Sequence, residues 1–388
     1  MSESSIATRT LASRAAIESV AAEWRALEQA TPEATGFQTP VWRLACESAA
    51  SAPRLVTVRE NGRLVMLLPL QIQRLCGATV ARWLGEPIAQ YGDALALPGP
   101  GRPAWFAAAQ AEIAGWTDVD LLALSGLRAD SVLAACGAPV APADPSRFAA
   151  PYVDLTPRLR RHRSIERRMK KLAAHGPLRL EAVAGPAARR EAAEQALAFK
   201  NEWLRRRWRY SAALSDSDVV ACALALAEKG ALLAHRLWAG ARLAAVELGL
   251  RREGVYRSLI GAYESDLAEG APGHVLTLML LPALAAEGIG RFDFLPPADP
   301  YKLAFSTGVT AMGALYRPYN ARGAMAALVL SRLRPVAKDA IHALAACGLP
   351  FDSLLRRFRR AGGAPHPLDG ESPDSTEKKF SPRAPKAI

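Results

Sequence analysis

Apolar and polar positions follow their most regular pattern between Ala231 and Tyr319, and that stretch sets the reading of the whole chain. Two strand-like runs, Ala231–Trp238 and Arg242–Arg251, meet at an Ala239-Gly240 turn. A second turn, Arg252-Glu253-Gly254, leads to a third run, Val255–Tyr263. Alternating or apolar runs bounded by Gly turns predict strands. A polar loop, Glu264–Gly273, then feeds an apolar helix, His274–Gly288. A strand at Arg291–Leu295, a Pro-rich break, the segment Tyr301–Gly308 and a last strand at Ala314–Tyr319 complete the order β-β-β-loop-α-β-α-β.

The upstream pattern predicts a comparable set. Ile17, Val20, Ala21, Trp24 and Leu27 have helical spacing, and Phe37–Ala45 reads as a second short helix. The runs Leu55–Glu60 and Arg63–Gln73 flank Asn61-Gly62, the strongest short hairpin signal. Strands follow at Ala81–Leu84 and Ala94–Leu97, then a helix at Ala104–Ala114 and a buried strand at Val119–Leu124. The Pro- and Ala-rich stretch Ala138–Ser146 reads as a linker, and Pro151–Leu155 as a strand able to bridge two halves. Thr156-Pro157 suit an N-cap and first helical turn. A strand at Leu178–Ala184, a helix at Ala187–Arg207 and one capped by Asp216 or Ser217 lead to the central stretch.

After Tyr319 three short apolar stripes, Ala324–Leu333, Val336–Ala346 and Phe351–Arg360, predict helices. Residues 1–10 are expected to be disordered, as is the polar tail 361–388. The predicted class is α+β. Two halves, 11–140 and 150–320, flank a central cleft, followed by a helical extension at 321–360 and the tail.

Composition narrows the function classes. A chain of 388 residues, 50% hydrophobic and 22% charged, can fold two packed domains. The apolar runs Met325–Leu330 and Val275–Leu284 fall short of the roughly 18–20 residues that span a bilayer. The N-terminus lacks a secretory pattern, so a cytoplasmic protein is expected. Cys46, Cys76, Cys136, Cys222 and Cys347 show no metal-ligand spacing, and their odd number argues against a disulfide framework. No metal is expected.

The net charge of +12 suits anionic partners: CoA, nucleotide-sugars, acidic glycans, anionic lipid or nucleic acid. A GC-rich genome explains an Arg- and Ala-rich composition equally well. The charge is densest between Arg158 and Lys171, with eight Lys/Arg and one Glu, over an apolar stripe of Ile165, Met169 and Leu172. That helix is either a solvated face or one that holds a phosphate-bearing substrate. It lacks interleaved aromatics, so single-stranded nucleic-acid recognition is not favoured and no specific DNA binding is expected. The C-terminal helices are compatible with packing, with a partner or with peripheral contact on an anionic membrane.

The strand-loop-helix junction carries the clearest chemistry. A helix start leaves backbone N–H groups unpaired, and with the helix dipole they bind phosphate. Gly270 and Gly273 lack a Cβ that would hold an anion off, Pro272 suits the first turn, and His274 and Val275 follow. A pyrophosphate-bearing cofactor fits Gly270–Val275; an ordinary loop before a helix is the alternative.

The whole succession resembles the core of GNAT-type acyl-CoA transferases. Three stretches carry a closer resemblance to the CelD/BcsL-type acetyltransferases of cellulose and exopolysaccharide biosynthesis, relatives of the Fem-type double-GNAT transferases. These are Ala271–Leu276, Gly288–Phe305, and the N-terminal phrases Phe37–Trp42, Leu67–Ile72 and Gln90–Leu97. The loop departs from the usual Gln/Arg-x-x-Gly-x-Gly/Ala pattern. The resemblance implies two GNAT-like halves and acetyl-CoA or another acyl-CoA as co-substrate. The acceptor would be a small molecule or glycan in polysaccharide or cell-envelope metabolism.

Acyl transfer from a thioester needs an oriented acceptor, a base and oxyanion stabilisation. No Ser-His-Asp or Cys-His nucleophile is readable, which fits direct attack. Glu247 and Asp293 are candidate bases, although Glu247 is equally readable as a solvent-facing strand residue and Asp293 as the brace of the following turn. Tyr263, Tyr301 and His274 lie near the expected cleft as hydrogen-bond donors. Trp203 and Trp208 are candidates to wall it, and Asp93 either faces it or holds a turn. Lys302 is the leading candidate, as an oxyanion stabiliser or phosphate ligand framed by Tyr301 and Phe305. The resemblance adds to this, since Fem-like relatives carry an active-site lysine in a similar aromatic-Lys phrase. Aminoacyl transfer from charged tRNA and a non-catalytic scaffold binding anionic partners are the rival readings.

Overall fold

The alternating runs fold into two separate sheets. This computed structural model describes residues 5–45, 52–142, 148–155, 163–206, 211, 214 and 216–333. The first half supplies β1 (Ile6–Leu11), β2 (Ala52–Glu60), β3 (Arg63–Leu75), β4 (Ala78–Trp83), β5 (Leu95–Ala96), β6 (Leu121–Arg128) and β7 (Ala141–Pro142). The second supplies β8 (Ala150–Asp154), β9 (Leu178–Val183), β10 (Leu233–Ala239), β11 (Arg242–Arg252), β12 (Val255–Tyr263), β13 (Arg291–Asp293), β14 (Gly308–Thr310) and β15 (Met312–Pro318).

The two sheets repeat one plan. Antiparallel strands lead into a helix, and the chain returns as a parallel neighbour. β4 and β6 are that pair in the first sheet, around the helix Arg102–Ala114. β12 and β13 are that pair in the second, around the helix Pro272–Ala286. One strand also crosses between the halves. The first sheet runs β1-β2-β3-β4-β6-β15-β7, so its sixth strand comes from the far end of the chain. The second runs β14-β8-β13-β12-β11-β10-β9 and inserts β8 between two late strands.

Local chemistry explains most elements. Asn61 and Gly62 both take positive φ, 50° and 82°, as a tight hairpin turn requires. Asp216 caps the helix Ser217–Glu228 by accepting the Asp218 N–H. β11 is apolar on both faces because both are covered. Val246, Leu248 and Leu250 pack with Ala192, Ala196 and Leu226 of the helices Pro186–Arg206 and Ser217–Glu228. Ala245 packs with Leu276 and Leu280 of the helix Pro272–Ala286. The first of these cores crosses between halves, taking in Phe37, Trp42 and Tyr91. Gly36 has φ +92°, and a Cβ there would stand 2.8 Å from Leu250 Cδ1.

Two expectations change. Residues 6–10 are not disordered but belong to β1, antiparallel to β2. The Thr8 and Thr10 hydroxyls donate to Glu112 at 2.9 and 2.5 Å, a long-range contact that local composition does not reveal. Cys222 is disulfide-bonded despite the odd cysteine count. At the C-terminal end the helix Ala321–Leu328 is capped by Asn320 and buries Ala326, with Met325 and Leu328 exposed. The helices expected at 336–360, the tail 361–388, the Thr156-Pro157 cap and Trp208 lie outside the described residues.

Candidate active site

The second sheet opens where its parallel pair ends. β12 and β13 are in register at Val255↔Arg291, Tyr256↔Phe292 and Arg257↔Asp293. β12 then continues to Tyr263 on β11 alone, while β13 stops at Asp293. The strands part and leave a wedge. The β11–β12 register skips Leu259, pairing Leu248 with Ile260 and Gly249 with Ser258. A one-residue bulge of this kind bends the strand and leaves a residue without a ladder partner.

The helix Pro272–Ala286 begins at the mouth of this wedge. Ala271 precedes it at φ 47°, with Pro272 in the first turn. The His274 and Val275 N–H groups donate back to the Ala271 carbonyl at 3.0 and 3.1 Å. The Gly273 N–H has no backbone acceptor among the described residues. A Cβ on Gly273 would meet only Tyr263 Cδ1, at 3.5 Å, so space remains at this turn. Gly270 is different. It is buried, and a Cβ there would stand 3.0 Å from Leu172 Cβ and 3.3 Å from its Cα. Its missing side chain admits a neighbouring helix rather than exposing backbone to an anion. Pro272 and Val275 are likewise buried, which leaves Gly273 and His274 as the accessible part of the expected cofactor segment.

That neighbouring helix is the basic one, Arg163–Ala173. Ile165 and Leu172 are buried against the second core, while Arg167, Arg168, Lys170 and Lys171 are exposed. Lys171 stands 4.0 Å from Glu269 in the loop. Burial first, and Arg168 second, hold the His274 imidazole below its ordinary pKa. The exposed cations of this helix, Arg167, Arg168, Lys170 and Lys171, therefore flank the loop that leads into the helix start.

The short helix Pro300–Phe305 closes the other side. The His274 ring lies 5.6 Å from Tyr301 and 6.2 Å from Phe305. Tyr301 is exposed and Phe305 buried. Lys302 is only 7% exposed, its Nζ donating to the Leu295 carbonyl at 2.9 Å and lying 3.9 Å from Asp299. Burial pulls its pKa down to about 8, with Lys200 adding to the fall and Asp299, Asp293 and Glu247 opposing it.

Glu247 sits on β11 opposite Gly261, where a Cβ would stand 2.9 Å from its Oε2. The solvent-facing alternative does not hold: Glu247 is 4% exposed, and its Oε1 has no hydrogen-bond partner among the described residues. Burial pushes the carboxyl up to about 7, against the pull of Ser258, Lys200 and Lys302. The Glu247 carboxyl of β11 and the Lys302 amine of the helix Pro300–Phe305 are thus within electrostatic reach of each other, with pKa values displaced to about 7 and about 8.

Asp293 braces the turn that follows it. Oδ1 and Oδ2 accept from the Tyr91 hydroxyl at 2.9 and 2.8 Å, and Oδ1 accepts the Leu295 N–H at 2.8 Å. Burial raises its pKa, opposed by Leu295, Arg257, Tyr91 and Arg128. Tyr91 and Arg257 were not singled out by sequence reading; Tyr91 reaches Asp293 across 202 residues, and no local pattern signals that. Arg257 is 5% exposed, with Nε and Nη1 unpartnered among the described residues. Tyr263 accepts from Trp203 Nε1 at 3.1 Å on the helix-start side. Asp93 holds a turn in the first half, accepting from the Ala94, Val132 and Leu133 N–H groups.

The equivalent wedge of the first half is filled by its own chain. The segment Gln90–Gly92 enters it: Gly92 N donates to Gly126 O at 3.1 Å, and a Cβ on Gly126 would stand 2.7 Å from Gln90 O. At the start of the helix Arg102–Ala114, a Cβ on Gly101 would stand 2.6 Å from the Trp105 ring. Among the described residues, no segment enters the wedge of the second half in this way.

Residues 160–303 match a family model described as an acetyltransferase (GNAT) domain. In fold the chain is two GNAT-like halves, each built around its own sheet. The match spans the basic helix, the meander, the helix start, Asp293 and Lys302, and it supports an acyltransferase. No curated protein matches the sequence. A crystal structure of FemX superposes with TM-score 0.57 at 11% identity, over 83% of this chain and 99% of that one. The C-terminal domain of a putative lysylphosphatidylglycerol synthetase from Agrobacterium fabrum gives 0.52 at 12%, over 82% and 96%. A protein of unknown function from Bacteroides thetaiotaomicron gives 0.52 at 8%, over 76% and 96%. At such identities the likeness is one of fold. Among the described residues no group of His, Cys, Asp and Glu side chains could hold a metal ion, and no helix is long and apolar enough to cross a membrane.

Proposed function

We propose that the chain transfers an acetyl or other acyl group directly from acyl-CoA to an amine or hydroxyl acceptor. The observation that carries this reading is the open β12–β13 wedge, fronted by the uncovered helix start at Gly273. The CoA pyrophosphate would sit at Gly273 and His274, with the exposed arginines and lysines of Arg163–Ala173 beside it. The thioester would lie in the wedge, beside the bulge at Leu259.

Each side chain then has a task. Glu247 takes the proton from the attacking amine or hydroxyl, which its pKa near 7 suits. Lys302, charged below about pH 8, stabilises the negative charge that develops on the carbonyl oxygen. Tyr301, beside His274, returns a proton to the departing thiolate. The acceptor is a small molecule or glycan of polysaccharide or cell-envelope metabolism, handled in the cytoplasm, in keeping with the CelD/BcsL-like phrases.

Aminoacyl transfer from charged tRNA is the second reading. It is favoured by the basic helix packed on the donor turn, and the likeness in fold to a putative lysylphosphatidylglycerol synthetase is in keeping with it. Thermal unfolding with excess donor separates the two. Acetyl-CoA at about 100 times its Kd would add about 2.7 kcal/mol and raise Tm. A Tm unmoved by saturating acetyl-CoA but raised by charged tRNA would replace the first reading with the second.

A further inference from the structure

The first half has no open wedge, yet one of its side chains reaches the site. We infer that Tyr91 is a positioning residue for Lys302: its hydroxyl fixes the Asp293 carboxylate, and Asp293 and Lys302 together hold the left-handed Leu295 between them. The inference deepens the reading above and rests on the role given there to Lys302.

The contacts form one buried chain across the two halves. Tyr91 is 1% exposed, its ring edge-on to Phe37 at 6.0 Å, with the Arg128 guanidinium 5.4 Å from its centroid. Its hydroxyl is shared between both Asp293 oxygens. Asp293 Oδ1 also takes the Leu295 N–H, while the Leu295 carbonyl takes the Lys302 ammonium. Leu295 has φ 58°, a left-handed conformation that is unfavourable for a residue with a side chain. The two hydrogen bonds hold it there, one on each side of its Cα.

Charge makes the coupling measurable. Asp293 faces Arg257 from β12 and Arg128 from β6, and Tyr91 is its side-chain hydrogen-bond donor. Lys302 faces Asp299 on its own turn, Lys200 from the helix Pro186–Arg206, Asp293 from β13 and Glu247 from β11. Without the Tyr91 hydroxyl, the Asp293 carboxylate loses a hydrogen bond that favours its charged form. It then takes up a proton more readily, and Lys302 loses part of a neighbouring negative charge. The Lys302 ammonium would lose its proton at lower pH. Mere loosening of the turn would do the opposite, because an exposed lysine regains its ordinary, higher pKa.

The test is the titration of Lys302 in the full chain, read from its rate of modification by trace acetic anhydride across pH 6–10 by mass spectrometry. Tyr91→Phe should label about threefold faster than wild type at pH 7, which corresponds to a midpoint about half a unit lower. Asp293→Asn, the second variant should Tyr91→Phe fold poorly, should move it the same way. Phe37→Leu loosens the same core but keeps the hydroxyl, and should lower Tm with no fall in the midpoint. An unchanged or raised midpoint in both Tyr91→Phe and Asp293→Asn would overturn the inference, as would an equal fall in Phe37→Leu. None of these readings depends on acyl-CoA. A coupling found without stabilisation by acetyl-CoA would leave Tyr91 in place and remove only the proposed donor.

Discussion

On the proposed reading, two side chains with displaced titrations carry the chemistry at the smallest scale. Glu247 must be deprotonated to act as base, so activity rises as pH climbs through about 7. Lys302 must be protonated to stabilise negative charge, so activity falls as pH passes about 8. The product is a narrow bell in kcat, with the two limbs belonging to the interacting pair. Lys302→Met keeps the aliphatic stem and removes the charge. It should lower kcat roughly 10²–10³-fold with an accepted amine or hydroxyl and abolish the alkaline limb. A folded variant with unchanged kcat and the same limb would make Lys302 a bystander. Lys302, Glu247 and His274 were legible in the sequence because each lies in or beside a local signal: a helix start, an apolar strand, an aromatic-Lys phrase. Tyr91 and Arg257 were not. A hydroxyl that meets its carboxylate 202 residues away leaves no local pattern.

At the scale of elements, two glycines of one loop do different work. Gly270 lets the helix Arg163–Ala173 approach, whereas Gly273 leaves the first turn of Pro272–Ala286 uncovered. Gly270→Ala should destabilise the fold by about 1–3 kcal/mol through overpacking on Leu172. Gly273→Ala should leave Tm within about a degree or raise it, since alanine is the better helix former. Equal losses of stability in the two variants, by denaturant midpoint and by Tm, would contradict this division. The element order from β10 to β13, the two helices and the final β15 was readable from turns and periodicity. The three-residue β14 and the edge strand β1 were not, because both are defined by long-range pairing to β8 and β2 rather than by their own pattern.

Across the whole molecule, the two halves are one structure. β15 completes the first sheet, β8 enters the second, and Phe37, Trp42 and Tyr91 share a core with Leu248 and Leu250. Two similar halves could be read from sequence, but the crossing of β15 into the first sheet could not: a strand's pattern shows that it is buried, not which sheet buries it. On the proposed reading, with the first wedge filled, donor binding falls to the second half alone. The most direct measurement is therefore calorimetric titration of the full chain with acetyl-CoA, in wild type and Gly273→Val. The account predicts one site per chain in wild type and strongly weakened binding in the variant, with the fold retained. Equal affinity in the two proteins would contradict it.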